Sequence, residues 1–343
     1  MKPILECIPN FSEGADESVL TKIAEAIRSV PGVFLLHTDK SPAANRTVFT
    51  FAGDPDAVTE AAFRGISVAA ACIDMRNQKG VHPRIGATDV CPLVPLQGMS
   101  EADANVYALQ LAERVGKELS IPVFLYEYSQ SRTYRAALPV IRKGQYEGLS
   151  ERMTDAAWHP DFGPVKGNPV TGATVIGVRR ILVAFNISLN TKDVLVAESI
   201  ARTLRQSGYW QEGDGGQRRK VQGLLPMVRA IGWYMEDYGQ AQVSFNLLDY
   251  HTSSLLTVWL ACRQAAAAIG VSLAGSELIG LVPEACMLEA GRYAAGTEVS
   301  DPDTLINAAI NMMGLAQLKP FVPEEKILER AWHRYSGTVL KLN

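Results

Sequence analysis

Apolar and polar positions alternate along the first half of the chain in a pattern that predicts six consecutive elements. The pattern predicts strands at 4–8, 33–38, 47–52 and 90–94 and helices at 16–30 and 56–75. Asp16 and Asp54-Pro55 are typical helix starts, and Pro31-Gly32 ends the first helix. The predicted order is therefore βαββαβ.

The second half repeats this order. The predicted strands cover residues 180–187, 228–235, 242–248 and 271–281, and the helices cover 192–206 and 255–269. A βαββαβ order is typical of a ferredoxin-like unit with helices on one face of an antiparallel sheet. We therefore predict an α+β protein with two ferredoxin-like subdomains at residues 1–178 and 179–320 and a C-terminal tail at 321–343. Because each sheet keeps one free face, a ligand cleft between the two sheets is expected.

Two stretches break the periodic pattern. A helix at residues 101–119 and a strand at 122–126 are followed by a loop rich in Pro and Gly at 158–169. Residues 208–220 contain several Gly and three cations but lack the Gly-Lys-Ser/Thr ending of a P-loop. We interpret 208–223 as an irregular segment, for which a mobile lid and a surface loop without function both stay open.

Composition and charge narrow the class of protein. The chain has 343 residues, of which 47% are hydrophobic, and a formal net charge of −3 without a basic block, which argues against nucleic-acid binding. Its apolar stretches are too short to span a bilayer, and the N-terminus lacks a signal-peptide core. The five cysteines form no CxxC pair. We therefore predict a cytoplasmic protein with no membrane partner and with reduced thiols.

The side chains that could take part in catalysis cluster in sequence around one histidine. The chain lacks the HExxH, GxSxG, EF-hand and zinc-site patterns, so no metal is predicted. Of its five histidines, His82 alone lies where Gly, Pro, Arg, Thr and Asp crowd around an imidazole, just before a predicted strand. A neutral imidazole can accept and return a proton near pH 7. From spacing alone, catalysis by His82 and a loop hydrogen bond made by it are both open.

Several long motifs, in order along the chain, resemble the glutamate formimidoyltransferase family, which includes formimidoyltransferase-cyclodeaminase. They are CIPNFSEG at 7–14, PAANRTVFT at 42–50, HPRIGATDV at 82–90, DFGP at 161–164, GATVIGVR at 172–179, AIGWY at 230–234 and GSELIGLVP at 275–283. The resemblance extends from residue 3 to about residue 320.

This resemblance implies an activity and a site. It implies transfer of a formimino group from N-formimino-L-glutamate to tetrahydrofolate as co-substrate, by a homodimer whose sheets face each other around a folate tunnel. It also implies that His82 is catalytic and that one loop binds folate: Gly163, Pro164, Val165, Lys166, Gly167, Asn168, Pro169, Val170, Thr171 and Gly172. Residues after 320 are too few for a cyclodeaminase domain, so we expect transfer only.

Other charged residues in or beside these motifs are candidate ligands for the carboxylates or amidinium of the substrates. They are Asp39, Arg46, Arg84 and Arg179, with Lys166 of the folate loop. For each single cation a solvated surface position is an equal alternative, and turn capping would also explain Asp39. Two other functions stay open: formyl transfer between N-formylglutamate or 5-formyltetrahydrofolate and the same partners, and folate binding without turnover.

Two positions depart from the family pattern. Gly167 stands where an aromatic residue is common, and Val81 stands where the family commonly has Glu beside the histidine.

We predict that Val81→Glu keeps the protein active and raises the pKa of His82, because a nearby carboxylate favours the charged ring. The acidic limb of the pH profile of kcat/KM should then move to higher pH. An unchanged profile in a folded, active variant would mean that position 81 is not electrically coupled to His82.

Overall fold

The computed structural model describes residues 2–80, 82–213 and 216–343, and it divides the chain into two units. One unit contains the residues up to Arg180 together with Tyr335–Asn343, and the other is Ile181–Arg334. The predicted boundaries at 178/179 and 320/321 remain our proposal for the subdomains.

The first unit begins with the predicted βαββαβ order and then continues. Its strands are β1 (Ile4–Cys7), β2 (Asn10–Phe11), β3 (Val33–Ser41), β4 (Arg46–Gly53), β5 (Thr88–Gln97), β6 (Val123–Leu125) and β7 (Thr174–Val178). Its helices are α1 (Glu17–Arg28), α2 (Pro55–Cys72), α3 (Glu101–Glu118), α4 (Leu138–Ile141) and α5 (Leu149–Arg152). Strands β3, β4, β1 and β5 lie side by side in that order and are antiparallel.

Local sequence explains where these helices begin. The Asp16 side chain accepts from the backbone N–H groups of Ser18 and Val19, and Asp54 caps α2, whose first residue is Pro55. Both predicted helix starts are thus confirmed. Helix α1 buries one stripe at helical spacing against the sheet: Val19, Leu20, Ile23, Ala24 and Ile27.

One edge of the first sheet is parallel, which corrects the prediction of a purely antiparallel sheet. Strand β7 pairs with β5 in parallel, and β6 pairs with β7 in parallel. The chain from β5 to β7 includes the long helix α3, and a connection of this length allows parallel pairing where a hairpin does not. This edge joins the segment before β7, which includes residues 163–172, to the sheet.

The second unit contains the other βαββαβ repeat. Its strands are β8 (Val183–Leu189), β9 (Tyr209–Glu212), β10 (Arg218–Val221), β11 (Val228–Met235), β12 (Gln240–Leu247) and β13 (Leu273–Ile279). Its helices are α6 (Val194–Leu204), α7 (Leu255–Ala268), α8 (Glu284–Ala295), α9 (Pro302–Met313), α10 (Pro323–Lys326) and α11 (Leu328–Ser336). The sheet order is β11-β12-β8-β13, antiparallel throughout. Apart from the additional strand β2 in the first half and the additional strands β9 and β10 in the second, the predicted element order is confirmed. The ferredoxin-like subdomains and the tunnel between the sheets stay predictions.

The segment after α6 is a hairpin rather than an irregular stretch. Strands β9 and β10 pair antiparallel, with Tyr209 opposite Val221 and Glu212 opposite Arg218. The glycines at 213 and 216 lie in the turn between the two strands. They give the segment the composition of a loop, but the strands on either side of them still pair. The prediction of an irregular segment is therefore wrong, and a lid function stays a prediction.

Residues 321–343 make hydrogen bonds to two other parts of the chain. The Glu329 carboxylate accepts from the backbone N–H of Glu284 at 2.9 Å, at the start of α8. The Asn343 side chain donates to the Met99 carbonyl at 2.9 Å. Residues 321–343, predicted as a tail, thus include a helix cap and a link to the turn after β5. Among the described residues, each helix is either too short or too polar to cross a bilayer.

Candidate active site

Three neighbouring strands of the first unit bring polar side chains together. Strand β2 lies between β4 and β5, with Asn10 opposite both Val48 and Val90. Arg46 is the first residue of β4, and Asp89 is the second residue of β5. The pairing of these strands therefore places Asn10, Arg46 and Asp89 at one place in the sheet, whatever their separation in sequence.

Asp89 is the buried centre of this group. Its side chain is 1% exposed, and its carboxylate accepts from Arg46 Nη1 at 2.8 Å and from the backbone N–H of Ile85 at 3.0 Å. Arg142, which follows α4, donates to both carboxylate oxygens, and its Nε lies 3.3 Å from Oδ1. One buried carboxylate is thus shared by two guanidinium groups, which supplies the pairing that a buried charge requires.

Arg46 connects this carboxylate to His82. Its Nε and Nη2 donate to Asn10 Oδ1 at 3.0 and 2.5 Å, and its Nη1 lies 2.9 Å from His82 Nδ1. The Arg46 side chain is 12% exposed. Its rigid, planar guanidinium group donates hydrogen bonds in several directions at the same time. Arg46 is therefore committed to contacts within the protein, which differs from the expectation that it binds a substrate carboxylate.

His82 lies in the segment between α2 and β5, with protein around most of its ring and one part accessible to solvent. Besides Arg46, Nδ1 also faces the carbonyl oxygen of Pro83 at 2.8 Å. Within the described part of the chain, Nε2 makes no hydrogen bond, whereas Nδ1 faces two protein groups. The departure at Val81 lies outside the described residues.

The electrostatics of the site keep His82 neutral. Burial, followed by the positive charges of Arg46 and Arg142, holds the pKa of His82 well below its ordinary value of 6.5, against smaller opposing effects of Asp89 and the Pro83 carbonyl. Burial alone would raise the pKa of Asp89, but the two guanidinium groups and His82 lower it overall. Burial lowers the pKa of Arg46 to about 10, so this residue stays charged at pH 7.

The predicted folate loop is attached to the same segment that carries His82. Gly172 and Gly86 form an isolated bridge between the two segments. The backbone N–H of Ala87 donates to the Thr171 carbonyl at 2.8 Å, and that of Ala173 donates to the Ile85 carbonyl at 2.9 Å. The structure therefore brings residues 163–172 next to the His82 segment, although they are far apart in sequence.

The shape of this loop is set by Asn168 and by glycine. Asn168 Oδ1 accepts from the N–H groups of Val170 and Thr171, which holds the C-terminal half of the loop. Lys166 is exposed, and Gly167 has a φ of +77° in open surroundings, where a Cβ would meet no atom within 4 Å. Positive φ disfavours a residue with a side chain, so the backbone explains glycine at 167 in place of an aromatic residue.

The remaining candidates lie elsewhere or are paired. Arg84 is buried, and its Nη1 and Nη2 donate to the two oxygens of Glu147 at 2.8 and 2.7 Å. Asp39 lies on β3, where its carboxylate is 3.4 Å from His37 Nε2. Arg179 follows β7, and its Nη1 donates to the Arg180 carbonyl at 2.8 Å. Of these residues, only Arg84 lies in the same segment as His82.

Sequence reasoning missed three members of the site. Asn10 and Asp89 both lie inside family motifs, CIPNFSEG and HPRIGATDV, so their polar character beside a predicted strand was an available signal. Arg142 lies in no motif, and nothing in its sequence surroundings distinguishes it from a surface cation. Its role emerges only when the segment between β6 and β7 packs on the sheet.

The second unit holds a separate polar cluster on its sheet. Glu277 on β13 accepts from the Asn186 amide at 3.2 Å, the Gln242 amide at 3.3 Å and the Tyr238 hydroxyl at 2.9 Å. Gln242 also accepts from the Trp233 indole N–H at 3.1 Å. These contacts satisfy the buried Glu277 carboxylate within the unit. Across the described residues, no group of three or more His, Cys, Asp or Glu is placed to hold a metal ion.

Comparison with known proteins gives matches along both halves of the chain. Residues 4–179 match the N-terminal subdomain of the formiminotransferase domain, and residues 184–332 match the formiminotransferase domain. The chain is 42% identical over 333 residues to a formimidoyltransferase-cyclodeaminase of Rattus norvegicus, a match covering 96% of this chain and 60% of that protein. The chain thus spans less than two thirds of the length of that relative.

Two shorter relatives are covered almost completely. The chain is 40% identical over 301 residues to a glutamate formimidoyltransferase of Streptococcus pyogenes serotype M1, covering 88% of this chain and 96% of the relative. It is 39% identical over 293 residues to a glutamate formimidoyltransferase of Thermoplasma acidophilum, covering 84% and 91%.

The buried pairing of Asp89 with two guanidinium groups leads to a prediction about stability. Asp89→Asn should lower the free energy of unfolding at pH 7 by about 3–5 kcal/mol, because two guanidinium groups lose their buried carboxylate. Since the folded state lowers the pKa of Asp89, its contribution is present above the ordinary value of 3.8 and is lost as pH falls through the folded pKa. Denaturant unfolding of wild type and variant across pH measures both effects.

A matched control comes from an exposed pair in the same unit. Glu118 lies 3.1 Å from Arg114 at the end of α3, with more than half of its side chain exposed. Glu118→Gln should change stability by less than about 1 kcal/mol. Equal losses in the two variants would contradict the special role of the Asp89 pairing.

Proposed function

We propose, on the premise that the chain belongs to the formiminotransferase domain family, that it transfers a formimino group from N-formimino-L-glutamate to N5 of tetrahydrofolate. The products would be 5-formimidoyltetrahydrofolate and glutamate, which places the reaction in histidine degradation and one-carbon metabolism. The observation that carries the proposal is a neutral imidazole held by a buried charged network, beside the loop that the family resemblance assigns to folate.

The reaction needs one proton to move between two nitrogens. N5 attacks the amidine carbon, a new C–N bond forms, and a tetrahedral intermediate results. N5 then loses a proton, the glutamate nitrogen gains one, and the bond between the carbon and that nitrogen breaks. His82 is the proposed carrier of this proton, taking it from one nitrogen and delivering it to the other. No proton is gained or lost overall, so a single imidazole is sufficient.

The lowered pKa of His82 suits this role. A ring that stays neutral at pH 7 is ready to accept a proton, and a nitrogen that has just attacked an electrophilic carbon is strongly acidic. Positioned acid/base catalysis typically contributes about 10²–10⁴-fold. The remaining acceleration would come from holding two substrates in contact, for which the folate loop and the His82 segment are joined by backbone hydrogen bonds.

The substrate carboxylates would be met by the exposed cations of the site rather than by the buried ones. Lys166 is exposed in the loop and fits this role, the half-buried Arg179 is a second candidate for a carboxylate, and Asp39 is a candidate for the amidinium. Arg46 and Arg84 already bind Asn10, Asp89 and Glu147. We further propose a homodimer that uses tetrahydrofolate, as the resemblance implies, and a cytoplasmic protein without a metal, as the sequence pattern indicates.

We predict that His82→Ala lowers the rate of transfer by about 10²–10⁴-fold, because an acid/base group acts on the transition state. Folate affinity should change only a few-fold, since ground-state binding uses other groups. Single-turnover assays with formimino-glutamate and tetrahydrofolate, together with folate titrations, measure the two quantities separately.

His251→Ala in the second unit is the matched control histidine and should retain turnover. Near-normal transfer by His82→Ala would remove His82 from the mechanism. Loss of folate binding in that variant, with its fold intact, would assign His82 to binding instead.

A further inference from the structure

Two protein groups with opposite requirements face the same nitrogen of His82. Arg46 Nη1 lies 2.9 Å from Nδ1, and the Pro83 carbonyl oxygen lies 2.8 Å from it. A guanidinium N–H can only donate, so it needs a lone pair on Nδ1. A carbonyl oxygen can only accept, so it needs a proton on Nδ1. In a neutral ring, only one of these hydrogen bonds forms at a time.

The choice between them fixes what Nε2 can do. If Arg46 donates to Nδ1, the single ring proton lies on Nε2, which is then a hydrogen-bond donor. If Nδ1–H donates to Pro83, Nε2 carries the lone pair and can accept a proton. The partner of Nδ1 therefore decides whether Nε2 is a donor or a base.

The surrounding contacts favour Arg46. Its guanidinium plane is fixed by Asn10 on one side and by Asp89 on the other, and Asp89 is itself held by Arg142 and the Ile85 N–H. The donor that faces Nδ1 is thus charged and has little freedom to turn away. Hydrogen bonds with a charged donor are roughly twice as strong as neutral ones.

We propose that Arg46, anchored by Asp89, is a positioning residue that holds His82 of the ligand-free protein in the Nε2–H tautomer. His82 then presents a donor to an incoming group. It becomes a base at Nε2 only in the other neutral tautomer, which forms when Nε2 releases its proton to solvent water while Nδ1 takes one up from solvent water and donates it to the Pro83 carbonyl. Arg46 therefore governs when His82 can accept a proton, a consequence that rests on the proposed function.

The ring nitrogens of His82 report the tautomer directly. Protein labelled with ¹⁵N in histidine gives distinct shifts for protonated and unprotonated ring nitrogens, and the signals missing from His82→Gln identify those of His82 among the five histidines. In the ligand-free wild type at pH 7, we expect the Nε2–H form to dominate by about tenfold. A dominant Nδ1–H form in the wild type alone would overturn the proposal.

Variants of Arg46 and Arg142 separate the effect of a direct hydrogen bond to His82 from the effect of a nearby positive charge. Arg46→Met should shift His82 toward the Nδ1–H form, and Arg46→Lys, which keeps a charged donor, should restore part of the Nε2–H form. Arg142→Met is the control, because Arg142 contacts Asp89 and lowers the pKa of His82 but makes no hydrogen bond to the ring among the described residues. Because its effect on the ring is indirect, it should shift the tautomer far less than Arg46→Met does.

An unchanged tautomer in folded Arg46→Met, or an equal change in Arg142→Met, would overturn the role of Arg46. The measurement needs no turnover. A failed transfer assay would therefore leave the tautomer result standing, and a failed tautomer result would leave the transfer open to a separate test.

Discussion

The candidate site depends on one buried carboxylate. Asp89 is almost fully enclosed, and it is stable as an anion there because Arg46, Arg142 and the Ile85 N–H surround it. The network that satisfies Asp89 also aims Arg46 at His82, and its two positive charges keep the imidazole neutral. Stability and the chemical state of the ring thus follow from the same interaction, since a change at Asp89 would affect both.

The fold brings these residues together through sheet pairing. Asn10, Arg46 and Asp89 lie on β2, β4 and β5, which are neighbours in the first sheet although β4 and β5 are separated by helix α2. The parallel edge formed by β7 brings residues 163–172 next to the His82 segment. The second unit repeats the βαββαβ order, but its sheet carries an amide and carboxylate cluster around Glu277 in place of a histidine.

Local signals account for what the sequence could predict. Periodicity and the caps at Asp16 and Asp54 are properties of neighbouring residues, so both βαββαβ repeats were predictable. The unusual composition around His82 likewise pointed to the candidate site, whose role stays a prediction. The pairing of Arg84 with Glu147 and of Arg142 with Asp89 depends on the segment between β6 and β7, which has no strong period. The β9–β10 hairpin was missed because its glycines resemble a loop in composition.

The central proposal is that this chain transfers a whole formimino group, carbon and nitrogen together. The most direct measurement uses formimino-glutamate labelled with ¹³C and ¹⁵N in that group, with tetrahydrofolate and purified protein, followed by mass analysis of the folate product. The account predicts a folate that carries both labels and a stoichiometric release of unlabelled glutamate. A folate product that carries ¹³C without ¹⁵N, or no labelled folate at all from protein that still binds folate, would contradict it.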